Sequence, residues 1–294
     1  MMSCDKCSMP AVIYQRYSGM HLCKDHFVRD VERRIKKDIR GFKIEAGDRI
    51  AVAPSGGKDS TLLLHVLNEI FEKQRDIEIL AITIDEGIKG YREHTIHIAR
   101  NETKNLGIEH IITTFKDRYG TTLDALVRTK EIGPCTLCGV LRRSALNWTA
   151  KEAGVDKIAT GHNLDDEAQT VLMNYLRGDV KRLFRRKRHE GFIPRIKPLK
   201  DVPEKEIALY GLVRGLKVDL HKCPYATWAL RSDIRESINW YEVKHPGTKY
   251  ALIRGFEKIS DAIAYPPTQL TNCKICGEPT SNNICMSCIL ANVD

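Results

Sequence analysis

The chain of 294 residues carries ten cysteines, and their spacing sorts them into three sets. Cys4, Cys7, Cys23 and His26 read CxxC, fifteen residues, CxxH. Cys273, Cys276, Cys285 and Cys288 read CxxC, eight residues, CxxC. Each short pair makes a turn that puts both donors on one side, and two such pairs complete a tetrahedral zinc site. Segments this small bury little apolar surface, so metal binding supplies much of their folding energy. That leaves Cys135 and Cys138 in GPCTLCG and Cys223 in HKCPYA. A closed zinc site takes four ligands, whereas a reactive centre keeps one position open, so three thiols point to chemistry.

A second reactive element is Ser55-Gly56-Gly57-Lys58-Asp59-Ser60, between an apolar stretch and a helical run. The two glycines leave room for phosphate oxygens to approach the backbone. The helix start aims N–H groups and the positive dipole end at an anion. Ser55 and Ser60 offer hydroxyls and Lys58 a charge. Asp59 repels phosphate, so it suits Mg²⁺ or loop bracing. The pattern is not GxxxxGK[ST], which excludes a Walker-type site. Further on, Gly161-His162-Asn163-Leu164-Asp165-Asp166 opens a helix with acids in its first turn.

These groups need a frame. Strands are predicted at 49–53, 77–84, 108–115 and 155–159, and helices from 61, over 91–106, over 138–153 and after 163. The alternation predicts a doubly wound α/β fold with a parallel sheet covered on both faces. Residues 204–240 read as mainly helical, and Pro266-Pro267 breaks the chain. The expected organisation is a zinc ribbon over 1–28, a basic helical linker over 29–46, an α/β domain over 47–266 and a second zinc ribbon over 267–294.

Hydrophobic content of 42% and charged content of 29% fit a globular chain rather than a disordered one. There is no apolar run long enough for a membrane span, and the start lacks a signal-peptide pattern. With CxxC spacing, this leads us to expect a cytoplasmic protein. The formal net charge of +9 favours a polyanionic partner, nucleic acid first. Cations concentrate at 181–188 and at Arg29, Arg33, Arg34, Lys36, Lys37 and Arg40.

SGGKDS after a strand resembles the PP-loop of ATP pyrophosphatases. Together with CTLCG, ATGHNLDDEA and the isolated downstream cysteine, it resembles the tRNA 2-thiouridine synthetase family, the TtuA and cytosolic tRNA thiolation branch. The resemblance covers nearly the whole chain, the terminal ribbons included. It implies that ATP sits on Ser55 to Ser60, with Ala53, Ile84 and Gly161 at the strand ends holding the adenosine. It implies a [4Fe–4S] cluster on Cys135, Cys138 and Cys223, with one iron left open to carry sulfur. It gives Asp166, beside Asp165, a catalytic or Mg²⁺-holding role. The bacterial branch has a catalytic lysine where this chain has Arg142. Arginine keeps the charge but cannot act as a general base. CGVLRR and VLMNYLRGD look more like the archaeal and eukaryotic wobble-uridine branch.

The expected activity is therefore ATP-dependent 2-thiolation of a tRNA uridine, the wobble uridine ahead of the T-loop uridine. Expected cofactors are ATP, Mg²⁺, the cluster and two Zn²⁺. Expected partners are tRNA, a second copy of the chain, and a sulfur donor, either a ubiquitin-like thiocarboxylate carrier or free sulfide. Two alternatives stand beside it: persulfide chemistry on the central cysteines, and a non-catalytic zinc-ribbon RNA-binding protein.

Overall fold

The apolar stretches form a five-stranded sheet with every pair parallel. We number the strands β1 (Ile13–Gln15), β2 (Met20–Leu22), β3 (Arg49–Val52), β4 (Glu78–Asp85), β5 (Glu109–Thr114), β6 (Lys157–Ala159), β7 (Arg195–Ile196), β8 (Thr271–Asn272) and β9 (Pro279–Thr280). In this computed structural model, residues 2–72, 74, 76–179, 191–216, 221–228, 230–263 and 269–292 are described. The basic run at 181–188 and the Pro266-Pro267 break lie outside them.

The sheet order is β5-β4-β3-β6-β7. From β3 the chain goes to β4 on one side and later returns to β6 on the other. The crevice beyond the carboxyl ends of β3 and β6 is therefore the topological switch point, where open α/β sheets bind ligands. Strand β7 has two residues, too few to show a periodicity, and was not foreseen.

Helices cover both faces: α1 (Lys24–Arg40), α2 (Lys58–Phe71), α3 (Arg92–Asn105), α4 (Phe115–Tyr119), α5 (Leu123–Thr129), α6 (Pro134–Glu152), α7 (Leu164–Leu176), α8 (Glu204–Val213), α9 (Leu230–Lys244), α10 (Thr248–Ala262) and α11 (Met286–Ala291). One core gathers Phe27, Val31, Ile35, Leu62, Leu63 and Leu64. The other gathers Leu80, Ile82, Phe115, Leu137, Leu141 and Leu290. Each fully buried leucine contributes about 1.5–3 kcal/mol.

Both terminal segments feed these cores. Leu22, Cys23 and Phe27 belong to the first and Leu290 with Ala291 to the second. The helix expected in a linker starts inside the first cysteine set and buries Phe27, Val31, Ile35 and Ile39 on one face. It is therefore a core helix and not a tether. One cation assigned to its basic face is buried too: Arg34 pairs with Glu206 and, at 3.1 Å, with Asp30.

Helix α6 starts earlier than expected, with Pro134 in its first turn, where the missing N–H costs nothing. Cys135 and Cys138 are thus three positions apart on one helical face. The stretch expected to be helical over 204–240 is broken around Cys223, which precedes a 3₁₀ turn at Pro224–Trp228. Among the described residues no helix is long and apolar enough to cross a membrane.

Candidate active site

The loop after β3 is braced by its own hydroxyls. The Ser60 hydroxyl accepts from Ser55 N at 3.0 Å and donates to Gly57 O at 3.1 Å. Gly56 has φ +84, and a Cβ there would lie 2.2 Å from the Thr95 carbonyl oxygen in α3. Only glycine fits both the backbone and the space. Gly161, after β6, would bring a Cβ within 2.9 Å of Ser60 N, so it too sits against the loop. No side chain caps α2, which leaves its first-turn N–H groups for an anion.

A cavity of about 310 Å³ opens at the switch point. Ala53, Ser55, Gly57, Asp59, Ser60, Ile84, Gly161, Asp166 and Arg142 line it, all singled out from the sequence. Lys58 does not line it. Its ammonium group meets Glu204 at 2.7 Å and Asp59 at 3.1 Å, and these carboxylates keep it charged against its burial.

Two of the carboxylates lining the cavity, Asp59 and Asp166, are shifted upward. Burial pushes Asp59 to about 6, with Asp166 and Glu204 adding and Lys58 opposing. Its Oδ1 is buried without a hydrogen-bond partner, the position of a group waiting for a cation. Burial also raises Asp166. Asp166 closes a capping box with Asn163 and lies 3.4 Å from Arg231 NH1. Asp165, expected to bind the cofactor, is elsewhere. It is buried, paired with Lys249, and accepts from Glu204 N at 2.8 Å. Consecutive helical positions point about 100° apart, so only one of the two acids reaches the cavity.

Several lining residues were not foreseen: Glu86, Arg92, Arg143, Thr160, His162 and Arg195. Partial desolvation lowers His162 to about 4, and its Nδ1 lies 2.9 Å from Thr160 Oγ1. Desolvation and the like charges of Arg143 and Arg142 lower Arg195 to about 10, still cationic near neutrality. Arg142, Arg143 and Arg195 make this wall suited to a polyanion. Arg92 was legible in principle, because it shares the buried face of α3 with Ile96, Ala99 and Thr103. A charge on an apolar helical face needs partners.

The central cysteines sit beside this cavity. Cys138 and Cys223 pack against the second core, and the exposed Cys135 places its Sγ 3.8 Å from the Tyr225 carbonyl oxygen. Burial raises the Cys138 thiol to about 11, with the nearby Arg142 opposing. The three sulfurs do not converge within 4.8 Å, unlike the terminal sets. A single ion draws all donors to one atom, whereas a cluster takes each thiolate on a different iron and spaces them further apart. Three thiolates without a fourth protein ligand suit a cluster with one open iron better than a closed zinc site. Arg142, one turn after Cys138, joins this group to the cavity.

The terminal sets are tighter. His26 Nδ1 lies 3.5 Å from Cys4 Sγ, 3.5 Å from Cys7 Sγ and 3.3 Å from Cys23 Sγ. Cys276 and Cys285 are 3.5 Å apart, and Cys273 and Cys288 are 4.0 Å apart. Tetrahedral thiolates on bonds of about 2.3 Å would stand about 3.8 Å apart, so both sets fit zinc.

A parallel sheet ordered β5-β4-β3-β6-β7, with SGGKDS at its switch point, defines a nucleotide-type α/β protein of the PP-loop class. A family model for the PP-loop domain matches residues 26–238, and one for the N-terminal LIM domain of 2-thiouridine synthetase TtuA matches 3–28. The tRNA 2-thiolation protein NcsA of Haloferax volcanii is 39% identical, with 98% of each chain covered. The tRNA-5-methyluridine(54) 2-sulfurtransferase of Pyrococcus horikoshii is 36% identical, covering 98% of this chain and 93% of its own. A solved structure, the U34-tRNA thiolase NcsA from Methanococcus maripaludis with its [4Fe-4S] cluster, is 37% identical and superposes with a TM-score of 0.90. It covers 99% of this chain and 96% of that one. The chain belongs to the PP-loop family of tRNA 2-thiolation proteins.

Proposed function

We propose that the protein 2-thiolates a tRNA uridine at the expense of ATP, with the wobble uridine as its substrate. The observation that carries this is the shared cavity: the PP-loop, Asp59, Asp166 and Arg142 line one space, and Arg142 stands one turn from Cys138. In the first step uracil O2 attacks the α-phosphorus of ATP and pyrophosphate leaves. The first-turn N–H groups of α2, with Ser55 and Ser60, hold the phosphates, and Ala53, Ile84 and Gly161 flank the adenosine. In the second step a sulfur nucleophile adds at C2, the C2–O bond to the adenylate breaks, and AMP leaves with the former O2. Arg142 and Arg195 stabilise the negative charge that develops in both steps. Arg142 moves no proton.

Cys135, Cys138 and Cys223 would hold a [4Fe–4S] cluster, whose remaining iron supplies an open position for sulfur. Asp59 and Asp166 would hold Mg²⁺, which neutralises phosphate charge. The terminal sets would hold one zinc each, dividing the chain into ribbons at 1–28 and 267–294 around a catalytic unit. The wobble assignment draws on the solved relative, which is named for U34; a relative named for position 54 makes the T-loop uridine the competing substrate. Eukaryotic relatives named as cytoplasmic support a cytoplasmic location.

The test is incubation of anaerobically prepared protein with ATP, sulfide and unmodified tRNA. AMP and 2-thiouridine are expected, with position 34 modified on nuclease mapping. No AMP from protein with full iron content would overturn the enzyme reading in favour of a non-catalytic RNA-binding protein. Cys223→Ala is expected to lose the roughly four irons per chain while the zinc remains. Thiolation by protein carrying zinc alone would sink the cluster in favour of a persulfide.

A further inference from the structure

Glu86 follows directly on β4 and is 3% exposed, yet it meets two arginines. Its Oε2 lies 2.7 Å from Arg92 Nε, and its Oε1 lies 3.6 Å from Arg142 NH1. The first contact is an ion pair without the alignment of a hydrogen bond. A buried carboxylate is costly to keep charged unless a cation compensates it at close range.

Arg92 is held firmly. Its NH1 donates to Ser55 O and to Thr95 Oγ1, each at 2.9 Å, and its NH2 donates to Ile84 O at 2.5 Å. Ser55 belongs to the PP-loop, Thr95 presses on Gly56, and Ile84, next to last in β4, lines the cavity. Arg92 thus grips the nucleotide half of the site at three points. Among the described residues Arg142 finds no comparable grip: its side chain is 51% exposed, and it stands on the helix that carries Cys135 and Cys138. Glu86 is the buried group that joins the clamped arginine to the half-exposed one.

We infer that Glu86 is a positioning residue that couples the nucleotide and sulfur halves of the site, through Arg92 to the PP-loop and through Arg142 to the cysteine helix. Phosphate in the cavity draws Arg142 away from Glu86, because a polyanion competes with the carboxylate for the same guanidinium. The cysteine helix then senses nucleotide, and sulfur delivery is matched to an activated substrate. The inference rests on the thiolase reading for its purpose, but the coupling itself does not depend on turnover.

The experiment uses full-length protein and has two readouts, the first on protein stripped of iron so that the three thiols are free. One is the alkylation rate of Cys135, Cys138 and Cys223, resolved by peptide mass spectrometry, with and without a non-hydrolysable ATP analogue. The other is kcat and KM for ATP from AMP release. In the wild type the analogue is expected to change alkylation by about fivefold or more. In Glu86→Gln the change should shrink to less than about twofold, with kcat down about tenfold and KM for ATP nearly unchanged. Arg142→Ala leaves the Glu86–Arg92 pair intact and should lose the nucleotide response in the same way, which covers the case of a poorly folded Glu86 variant. Glu86→Asp should recover part of the response. Wild-type behaviour in Glu86→Gln, no nucleotide response in the wild type, or a rise in KM alone would each overturn the coupling. Absence of AMP release with the alkylation response intact would overturn the thiolase reading and leave the coupling standing.

Discussion

At position 142 the guanidinium can hold charge but cannot exchange a proton at working pH. If its role is charge, Arg142→Lys keeps most of the activity and Arg142→Ala loses about 10²–10³ in kcat, the usual effect of one charge-stabilising donor. A lysine variant as inactive as the alanine would show that bidentate geometry matters as well; full activity in the alanine variant would remove the residue from the chemistry. The neighbouring acids show how far residue types are legible. The sequence displays Asp165-Asp166 as a pair, but which one faces the cavity depends on where α7 begins. Asn163 sets that through its capping box with Asp166, and Lys249, in a helix distant along the chain, takes Asp165. Asp38 adds a pH-dependent test away from the site. Burial first, then the facing Asp201, raises it from 3.8 to about 7, while Lys200 Nζ at 3.9 Å partly offsets this. The folded state then binds the Asp38 proton more tightly than the unfolded chain, so stability falls as pH rises from about 4 to about 7 and stays lower above. Asp38→Asn should therefore raise Tm by about 2–4 °C at alkaline pH and leave it nearly unchanged below about pH 4. An equal gain at both pH values would show that the effect is packing and not ionisation.

Elements are where the sequence was most legible, because the nucleotide loop is a local structure. Strand, Gly-Gly turn and helix start follow one another without help from distant residues; β3 falls where it was expected, and α2 begins three residues earlier, at Lys58. Strand β7 and helix α10 did not show. The first is two residues long, and the second lies wholly beyond the stretch expected to be helical. What the loop packs against was also hidden, since Gly56 meets Thr95 in α3, further along the chain and beyond β4. That contact gives a sharp prediction. Gly56→Ala would force a Cβ to 2.2 Å from a backbone oxygen at a φ that disfavours it. The loop must move, so affinity for an ATP analogue should fall by at least about tenfold. The zinc content should be unchanged, because both terminal sets lie outside this contact. Wild-type affinity in calorimetry would show that the loop takes another shape when it binds.

At the scale of the whole molecule, the +9 charge has to be divided between cations that are spent inside the fold and cations that face outward. Along α1 the sequence shows one basic cluster, but the helix splits it. Arg34 is buried against Glu206, while Arg29, Lys36 and Arg40 stay exposed and, with Arg33 and Glu32, line a shallow surface depression. Arg33 is tied to Asp30 at 2.7 Å and Lys36 more loosely to Glu32 at 3.7 Å, so Arg29, Lys36 and Arg40 remain the best candidates for RNA phosphates. Each phosphate contact releases counterions and adds about 0.7–0.9 to the slope of log affinity against log salt. Replacing Arg29, Lys36 and Arg40 by alanine should therefore lower the slope for tRNA by about 2–3 and weaken binding of modified and unmodified tRNA alike. Because α1 continues from the first cysteine set into the core, the same helix fixes the outward charges relative to the cavity. If the first cysteine set holds zinc as proposed, stripping it should weaken tRNA binding as well, with the ATP analogue bound as before. A salt slope unchanged in the triple variant would move the tRNA to another face of the protein.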